Sequence, residues 1–323
     1  RIAYMAGKLA IKDQNLSSVS NATELYSRYY DKYLQETDIV KNRNLCKTLS
    51  IVSIIRKLDL ENSNLITFFL NFFEISNKEF ENSIYELEKL EILKIYRKRI
   101  VLMNEQCLAN YMIYYGVYKN NYIDFSNFLY EMFKTYRGYI LETIRILLNV
   151  FRSEEMEDFI KEAIDIVWMK YKKEDKNLYY DFMIYFLQFN ETEVLFYINE
   201  IIEEISNEDS LTYIGVMELL LKFNGSKHTG EAFELIFELI KKIPDELNEI
   251  AKKIEEGYIG TSDSCRWNYY TENILVKKLK KHLMVSDLLI MWQNFFQQTE
   301  RRFFIFGNKK VLYLYGFVRF ANA

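Results

Sequence analysis

The chain has 323 residues, of which 50% are hydrophobic and 16% aromatic, and its formal net charge is −4. This length allows two or three domains, and the weakly acidic charge gives no reason to expect a polyanion as partner. Because the chain has no apolar run of membrane-spanning length and no signal peptide at its start, we expect no membrane partner and a cytoplasmic location.

One Pro and ten Gly leave little to interrupt helices, so a mainly α fold is predicted. Residues 1–12 are typical of the end of a helix, and 21–36 of a second helix. The apolar stripe of that second helix comprises Leu25, Tyr29 and Tyr33. We place Tyr26 and Tyr30 off this stripe.

The next part of the chain predicts three short helices. Apolar residues recur every three or four positions from Leu45 to Leu58, which predicts one apolar face on the first of them. The run 65–73 is almost wholly apolar and predicts a buried second helix. Ser76 and Glu79 form a capping box that begins the third helix.

A β-hairpin is predicted directly after these helices. Two β-favouring runs, 92–96 and 100–103, are joined by the basic turn 97–99. The turn lacks Gly and Asn, so we expect a connection of three or more residues and not a tight type I′ turn. Three helices followed by a hairpin is the winged-helix order, and we therefore predict a winged-helix-like domain over 40–120.

Many winged-helix domains bind DNA, but the third helix argues against a nucleic acid partner here. That helix would enter the major groove. Between 77 and 91 it carries five Glu and two Lys, so repulsion from the phosphates would oppose docking. The contrary feature is the turn formed by Arg97, Lys98 and Arg99, which we keep as a candidate contact for a partner.

Two runs of this region carry a resemblance to a known family. Residues 80–96 and 105–115 resemble the segment after the nucleotide-binding core of large bacterial STAND P-loop ATPases, a class of signalling ATPases that includes antiviral defence sensors. The run 1–10 is similar to the sequence that follows the Gly-x-Pro motif closing that ATPase module. Because Arg1 is not an initiator residue, we expect the chain to be a fragment or a processed form.

The resemblance implies an organisation and a role. Residues 1–39 would be a helical remnant of an upstream ATPase module, and that module, with its ATP and Mg, would be the partner within the same chain. The rest would be a non-catalytic regulatory or sensor region, coupling recognition of a ligand or a protein to the nucleotide module in bacterial signalling or antiviral defence.

Beyond the predicted domain, helix follows helix with short polar breaks. Asp124 and Ser153 are placed to cap helices and Gly138 to separate two of them. Pro244 suits a first helical turn. The helix after Ser153 carries one broad apolar stripe, made of Phe159, Ile160, Ala163, Ile164, Val167 and Trp168. Because short connections favour stacked antiparallel helices and no fixed repeat period appears, we predict an irregular, solenoid-like α-helical array over 121–323.

The last residues allow two interpretations. The runs 301–306 and 311–320 are β-branched and aromatic around Gly307 and Asn308. They fit either a short terminal β-hairpin or a last helix, and we favour the hairpin.

One aromatic and basic stretch is the best surface candidate in the array. Its candidate partner-binding residues are Tyr269, Tyr270, Lys277, Lys278, Lys280 and Lys281. The alternative interpretation is a helix that packs Ile274, Leu275 and Leu279 inward and leaves its lysines in water.

The residue types needed for catalysis or metal binding are not clustered. Cys46, Cys107 and Cys265 are widely separated and without a CxxC motif, so we expect reduced thiols. His228 and His282 are solitary, which disfavours a metal site. The chain has no Gly-rich phosphate loop, nucleophile elbow or Cys/His order. We therefore expect neither an enzyme nor a cofactor in this chain.

Two functional hypotheses remain. The first is the regulatory region that the STAND resemblance implies, which recognises its partner by protein–protein interaction. The alternative is a winged-helix DNA-binding regulator with a helical ligand-sensing domain, which depends on the element order and on the basic turn 97–99.

Overall fold

The computed structural model describes residues 2–13, 21–205, 210–258 and 274. These residues are mainly helical, as the composition predicts, with 14 α-helices and a three-stranded antiparallel sheet. Among the described helices, none has the length and apolarity that crossing a membrane requires. The chain divides into two compact units, Arg1–Phe182 and Met183–Ala323, while the division into domains at 40 and 121 stays a prediction.

The first unit contains most of the described elements. Its helices are α1 Ile2–Asp13, α2 Ala22–Glu36, α3 Arg43–Ile55, α4 Ser63–Phe73, α5 Asn77–Lys89, α6 Gln106–Tyr114, α7 Phe125–Thr135, α8 Arg137–Val150 and α9 Glu154–Glu174, and α10 Lys176–Phe186 spans the division between the units. Its strands are β1 Lys57–Asp59, β2 Leu93–Tyr96 and β3 Ile100–Met103, in the order β1-β3-β2.

Helix α3 is the centre of this unit. The predicted apolar stripe from Leu45 to Ile55 is buried, and so is every residue between its members. The predicted extension to Leu58 is wrong: Arg56 takes a positive φ of 63° and ends the helix, and Leu58 pairs with Val101 in the sheet. Periodicity could not reveal either feature, because α4, α5, α6, α8, β1 and β3 all contact α3 from different sides.

The hairpin connection has the predicted length and an unexpected conformation. Three residues separate β2 from β3, as predicted. Arg97 and Lys98 both adopt positive φ, 54° and 56°, and the Arg99 amide donates to the Tyr96 carbonyl at 3.0 Å. These are the φ signs of the central residues of a type I′ turn, but Tyr96 pairs with Ile100, so the loop has three residues and is not the tight two-residue form. The twist of the paired strands favours this turn even without Gly or Asn.

Helix α2 forms where predicted, with Asn21 as its N-cap, but its buried face differs. Tyr26 and Tyr30 are buried, whereas Tyr29 and Tyr33 are half-buried, so the predicted stripe is wrong. The buried face is set by α6: the Tyr30 ring stacks on the ring of Tyr111 in that helix, with centroids 5.4 Å apart. A phenol packs in a core when its hydroxyl finds a partner.

Polar contacts fix α2 against the end of α6. The Tyr30 hydroxyl donates to Glu105 at 2.8 Å, and the Tyr111 hydroxyl donates to Asp31. The Lys119 ammonium lies 2.5 Å from the same carboxylate. Burial, reinforced by the hydrogen bond to the carboxylate, raises the pKa of Tyr30 and Tyr111. Both phenols therefore stay protonated and act as donors.

The predicted helix starts are largely confirmed. Ser76 and Glu79 form the capping box of α5, the Asp124 carboxylate accepts the Asn127 amide at 3.1 Å, and Ser153 caps α9. Gly138 is a correction: α8 begins at Arg137, so this glycine lies in its first turn and does not separate the helices.

The second unit is helical throughout its described part. Its helices are α11 Glu191–Glu204, α12 Ser210–Leu221, α13 Thr229–Lys242 and α14 Leu247–Tyr258. Helix α13 packs against α11 and α12, and α12 packs against α14. Pro244 opens a short 3₁₀ turn before α14. The predicted terminal hairpin at 301–320 lies outside the described residues.

A glycine at the end of α6 allows the closest approach to α3. Gly116 lies in a π-helical segment, Tyr115–Lys119, and a Cβ on it would lie 2.7 Å from the Ser50 Cβ. A Cβ on Gly138 would meet nothing within 4 Å.

These two glycines give a matched pair of substitutions. We expect Gly116→Ala to destabilise the protein by about 1–3 kcal/mol, because the methyl group overpacks the α3 contact. Gly138→Ala should be neutral or stabilise by roughly 0.5 kcal/mol, because alanine favours the exposed first turn. Urea denaturation followed by circular dichroism measures both values. Equal effects of the two substitutions would contradict the close packing of α6 on α3.

Candidate partner-binding surfaces

All three side chains of the basic turn are exposed, and one of them is paired with carboxylates. The Arg99 guanidinium binds Asp59 through two hydrogen bonds of 2.9 and 2.6 Å and lies 2.7 Å from Glu61. Arg97 and Lys98 are exposed and form no ion pair with any residue that the structure describes. Arg99 therefore has carboxylate partners, although its side chain is 49% exposed. The role of all three residues in partner binding stays a prediction.

The other predicted site residues cannot be placed. Tyr269, Tyr270, Lys277, Lys278, Lys280 and Lys281 all lie outside the described residues. Their role as a partner surface stays a prediction.

Helix α5 precedes the hairpin in the chain, and its exposed face is acidic and aromatic. Tyr85 is 58% exposed, and Glu81 and Glu86 on the same helix are also exposed. The exposed Lys78 and Lys89 only partly offset these carboxylates. This composition suits contact with another protein better than contact with a phosphate backbone.

A groove of about 840 Å³ lies on the first unit. It is bounded by the first residue of α3, the end of α4, the segment 121–127 and one face of α9. This volume is in the range of ligand-binding clefts. The groove cannot be predicted from the sequence, because its walls come from four separated parts of the chain.

The segment 121–127 forms the floor of the groove and is held from both sides. The Tyr122 amide donates to the Gly116 carbonyl at 2.9 Å, and Ile123 is buried. Phe125 is also buried and stacks on Phe159 of α9, with ring centroids 5.2 Å apart and an interplanar angle of 22°. The groove is therefore built by packed residues and not by a free loop.

Helix α9 supplies an apolar wall. It buries one stripe that includes Ile160, Ile164 and Trp168, largely as predicted. Ile166 and Met169 lie outside that stripe and are each 51% exposed, and Ile166 lines the groove. In the sequence, these two residues differ from the rest of the polar face only in being large and apolar. Helical periodicity places them on the surface and gives no function for them, since single exposed apolar residues are common.

Charged side chains surround the groove unevenly. Three carboxylates line it, those of Glu74, Asp124 and Glu162, together with one guanidinium, that of Arg43. The Arg43 guanidinium carbon lies 5.4 Å from the centroid of the Tyr122 ring, within range of a cation–π contact. The lining is therefore net acidic, with its cation held against an aromatic ring.

The described residues offer no cluster for a metal ion. Among them, no group of three His, Cys, Asp or Glu side chains is arranged to hold one. Cys46 and Cys107 are free thiols, and burial raises the pKa of Cys46, which disfavours the reactive thiolate. Cys265 and His282 lie outside the described residues.

Comparisons with known proteins add no family to these observations. No family model, curated protein or solved structure matches this chain.

The paired arginine of the turn predicts a pH-dependent stability difference. The hydrogen bond from Arg99 lowers the pKa of Asp59 below its usual 3.8. A depressed carboxyl pKa contributes stability above the unfolded-state value, and this contribution is lost as the pH falls through the folded-state value. We therefore expect Arg99→Ala to lower the urea midpoint at neutral pH, and the difference from the unsubstituted protein to shrink below pH 3.8.

Arg97→Ala is the matched control, since it removes the same charge from the same turn. Its midpoint should equal that of the unsubstituted protein at each pH. A loss in Arg99→Ala that stays constant through the acid range would contradict the Asp59 contact as its cause.

Proposed function

We propose that this chain is the non-catalytic regulatory region of a STAND-class P-loop ATPase. A winged-helix-like domain would be followed by an irregular, solenoid-like helical array, and the two would couple recognition of a protein or ligand to a nucleotide module in the same protein. The setting would be bacterial signalling, including antiviral defence.

The element order is the observation that carries this proposal. From α3 to β3 the order is helix, strand, helix, helix, strand, strand, and β3 lies between β1 and β2. This order supports the winged-helix proposal, in which α5 would be the third helix and the β2–β3 hairpin the wing. The resemblance of 80–96 and 105–115 to STAND ATPases falls on α5, β2 and α6 of this arrangement.

A mechanical link supports a coupling role. Helix α2 belongs to the part that the resemblance assigns to the ATPase module, and it contacts α6 through Tyr30, Asp31 and Glu105. Partly buried hydrogen bonds between phenols and carboxylates have a defined geometry. A displacement of α2 would therefore change the contacts of α6, which packs directly on the central α3.

The helical pairs support a recognition role. Helix α13 packs against both α11 and α12. Stacked helices of this kind present extended surfaces to macromolecules.

The gene tests the ATPase assignment directly. We expect the reading frame to encode a Gly-x-x-x-x-Gly-Lys-[Ser/Thr] motif within a few hundred codons before Arg1, because such a loop binds the nucleotide phosphates in these ATPases. Sequencing that region is the measurement. A reading frame without this motif would remove the ATPase proposal and leave the fold untouched.

A DNA-binding regulator is the second candidate function, favoured by the exposed Arg97 and Lys98 at the end of the hairpin. The regulatory proposal predicts that fluorescence anisotropy finds no saturable binding of labelled duplex DNA at low salt. The second candidate predicts binding that weakens steeply as salt rises, because phosphate contacts release counterions.

A pair of double variants separates turn-specific binding from a general charge effect. Arg97→Ala with Lys98→Ala should weaken any specific DNA binding. Lys161→Ala with Lys227→Ala removes the same charge from exposed positions on α9 and in the turn before α13 and should not. Salt-sensitive binding lost only in the first double variant would replace the regulatory proposal with the DNA-binding one.

A further inference from the structure

We propose that the groove between α4, the segment 121–127 and α9 binds a basic amphipathic helix of a protein partner. Aliphatic side chains of that helix would pack on the wall formed by α9, and its Lys or Arg side chains would meet the acidic rim. This inference goes beyond the proposed function and does not depend on an ATPase module.

The wall is the first observation. Ile166 lines the groove and exposes 51% of its surface, although neighbouring apolar residues of α9 are buried. Met169 of the same helix is equally exposed but is not one of the groove's lining residues. The half-buried Phe72 and Phe159 line the groove as further apolar side chains. An apolar surface at a concave site marks an interaction site more often than scattered apolar residues do.

The charge of the rim identifies the partner. Glu74, Asp124 and Glu162 are exposed carboxylates, and against them stands only the guanidinium of Arg43 among the charged lining residues. Complementary charge steers a cationic segment toward such a rim and repels an acidic one or a nucleic acid.

The shape of the groove favours a helix over a small molecule. Several of its lining residues, including Asn71, Asn127 and Ile166, are exposed, so the groove is open along its length and would not enclose a compact ligand. An amphipathic helix places anchors at intervals of three and four residues in such a groove, while its polar side stays in water.

The groove is already formed without a partner. Its floor is held by the buried Ile123 and by the stacking of Phe125 on Phe159. On another side, the Glu74 carbonyl accepts the Lys47 ammonium at 3.2 Å, which ties the end of α4 to α3. A preformed site loses little conformational entropy when it binds.

A pair of synthetic peptides tests the proposal on the whole chain. The first is a fluorescein-labelled amphipathic helix of roughly 18 residues, about five turns, with Leu on one face and Lys on the other. The second replaces each Lys with Glu. We expect fluorescence anisotropy to show saturable binding of the Lys peptide and none of the Glu peptide. Preference for the Glu peptide, or no binding of either, would overturn the proposal.

Three variants locate the binding. Glu74→Lys with Glu162→Lys should lower the affinity for the Lys peptide by roughly ten-fold or more, because the double substitution reverses the charge of the rim. Glu81→Lys with Glu86→Lys changes the net charge equally on the exposed face of α5 and should change the affinity by less than about two-fold. Ile166→Gln keeps the charge and removes the aliphatic anchor, so it should also weaken binding.

Each contrary result is decisive. Equal weakening by the two charge-reversal pairs would show general attraction to an acidic protein. Unchanged affinity of Ile166→Gln would show that the apolar wall is not used. A dimer of the chain in analytical ultracentrifugation that Ile166→Gln dissociates would assign the groove to a second copy. Unchanged circular dichroism of the variants verifies that they are folded.

Discussion

The burial of α3 from Leu45 to Ile55 is the constraint on which the first unit depends. An unbroken run from Leu45 to Ile55 is excluded from water, so neighbours must cover the helix on every side. Its polar residues must then find partners inside the protein. The Ser50 hydroxyl lies 3.0 Å from the carbonyls of Cys46 and Met112, and Lys47 reaches the end of α4. The hydroxyls of Thr48 and Ser53 are buried and form no hydrogen bond with any residue that the structure describes; an unsatisfied buried hydroxyl costs about 1–3 kcal/mol.

The layer around α3 is tightened by one glycine and several tyrosines. Gly116 lets the end of α6 approach Ser50, and its carbonyl accepts the Tyr122 amide that begins the groove floor. On the outer side of α6, Tyr111 stacks on Tyr30 of α2. The same short stretch thus positions the floor of the groove and holds α2. The π-helical segment Tyr115–Lys119 lies at this junction.

Local chemistry made part of this fold predictable, and contacts distant in sequence decided the rest. The capping box of Ser76 and Glu79 and the hairpin length depend on a few adjacent residues, and both were predicted. The burial of Tyr26, the strand containing Leu58 and the positive φ of Arg97 depend on α6, β3 and the sheet twist, so they were not. The groove was missed for the same reason. In the sequence, Ile166 is only an apolar residue off the predicted stripe. Phe72 and Tyr122, which line the same groove, are distant from it along the chain.

The groove shares its supports with the core, which gives binding a consequence beyond recognition. Its α4 side is tied to α3 by Lys47, whose pKa burial lowers, and its floor is tied to α6 through Gly116. A partner that binds the folded groove and not the unfolded chain stabilises these contacts by mass action. Because Tyr111 of α6 also holds α2 through Asp31, an occupied groove would restrict the helix that the proposed function assigns to the ATPase module. If the groove binds the proposed partner, recognition there and the position of α2 would be connected through the buried helix α3 and its direct neighbours.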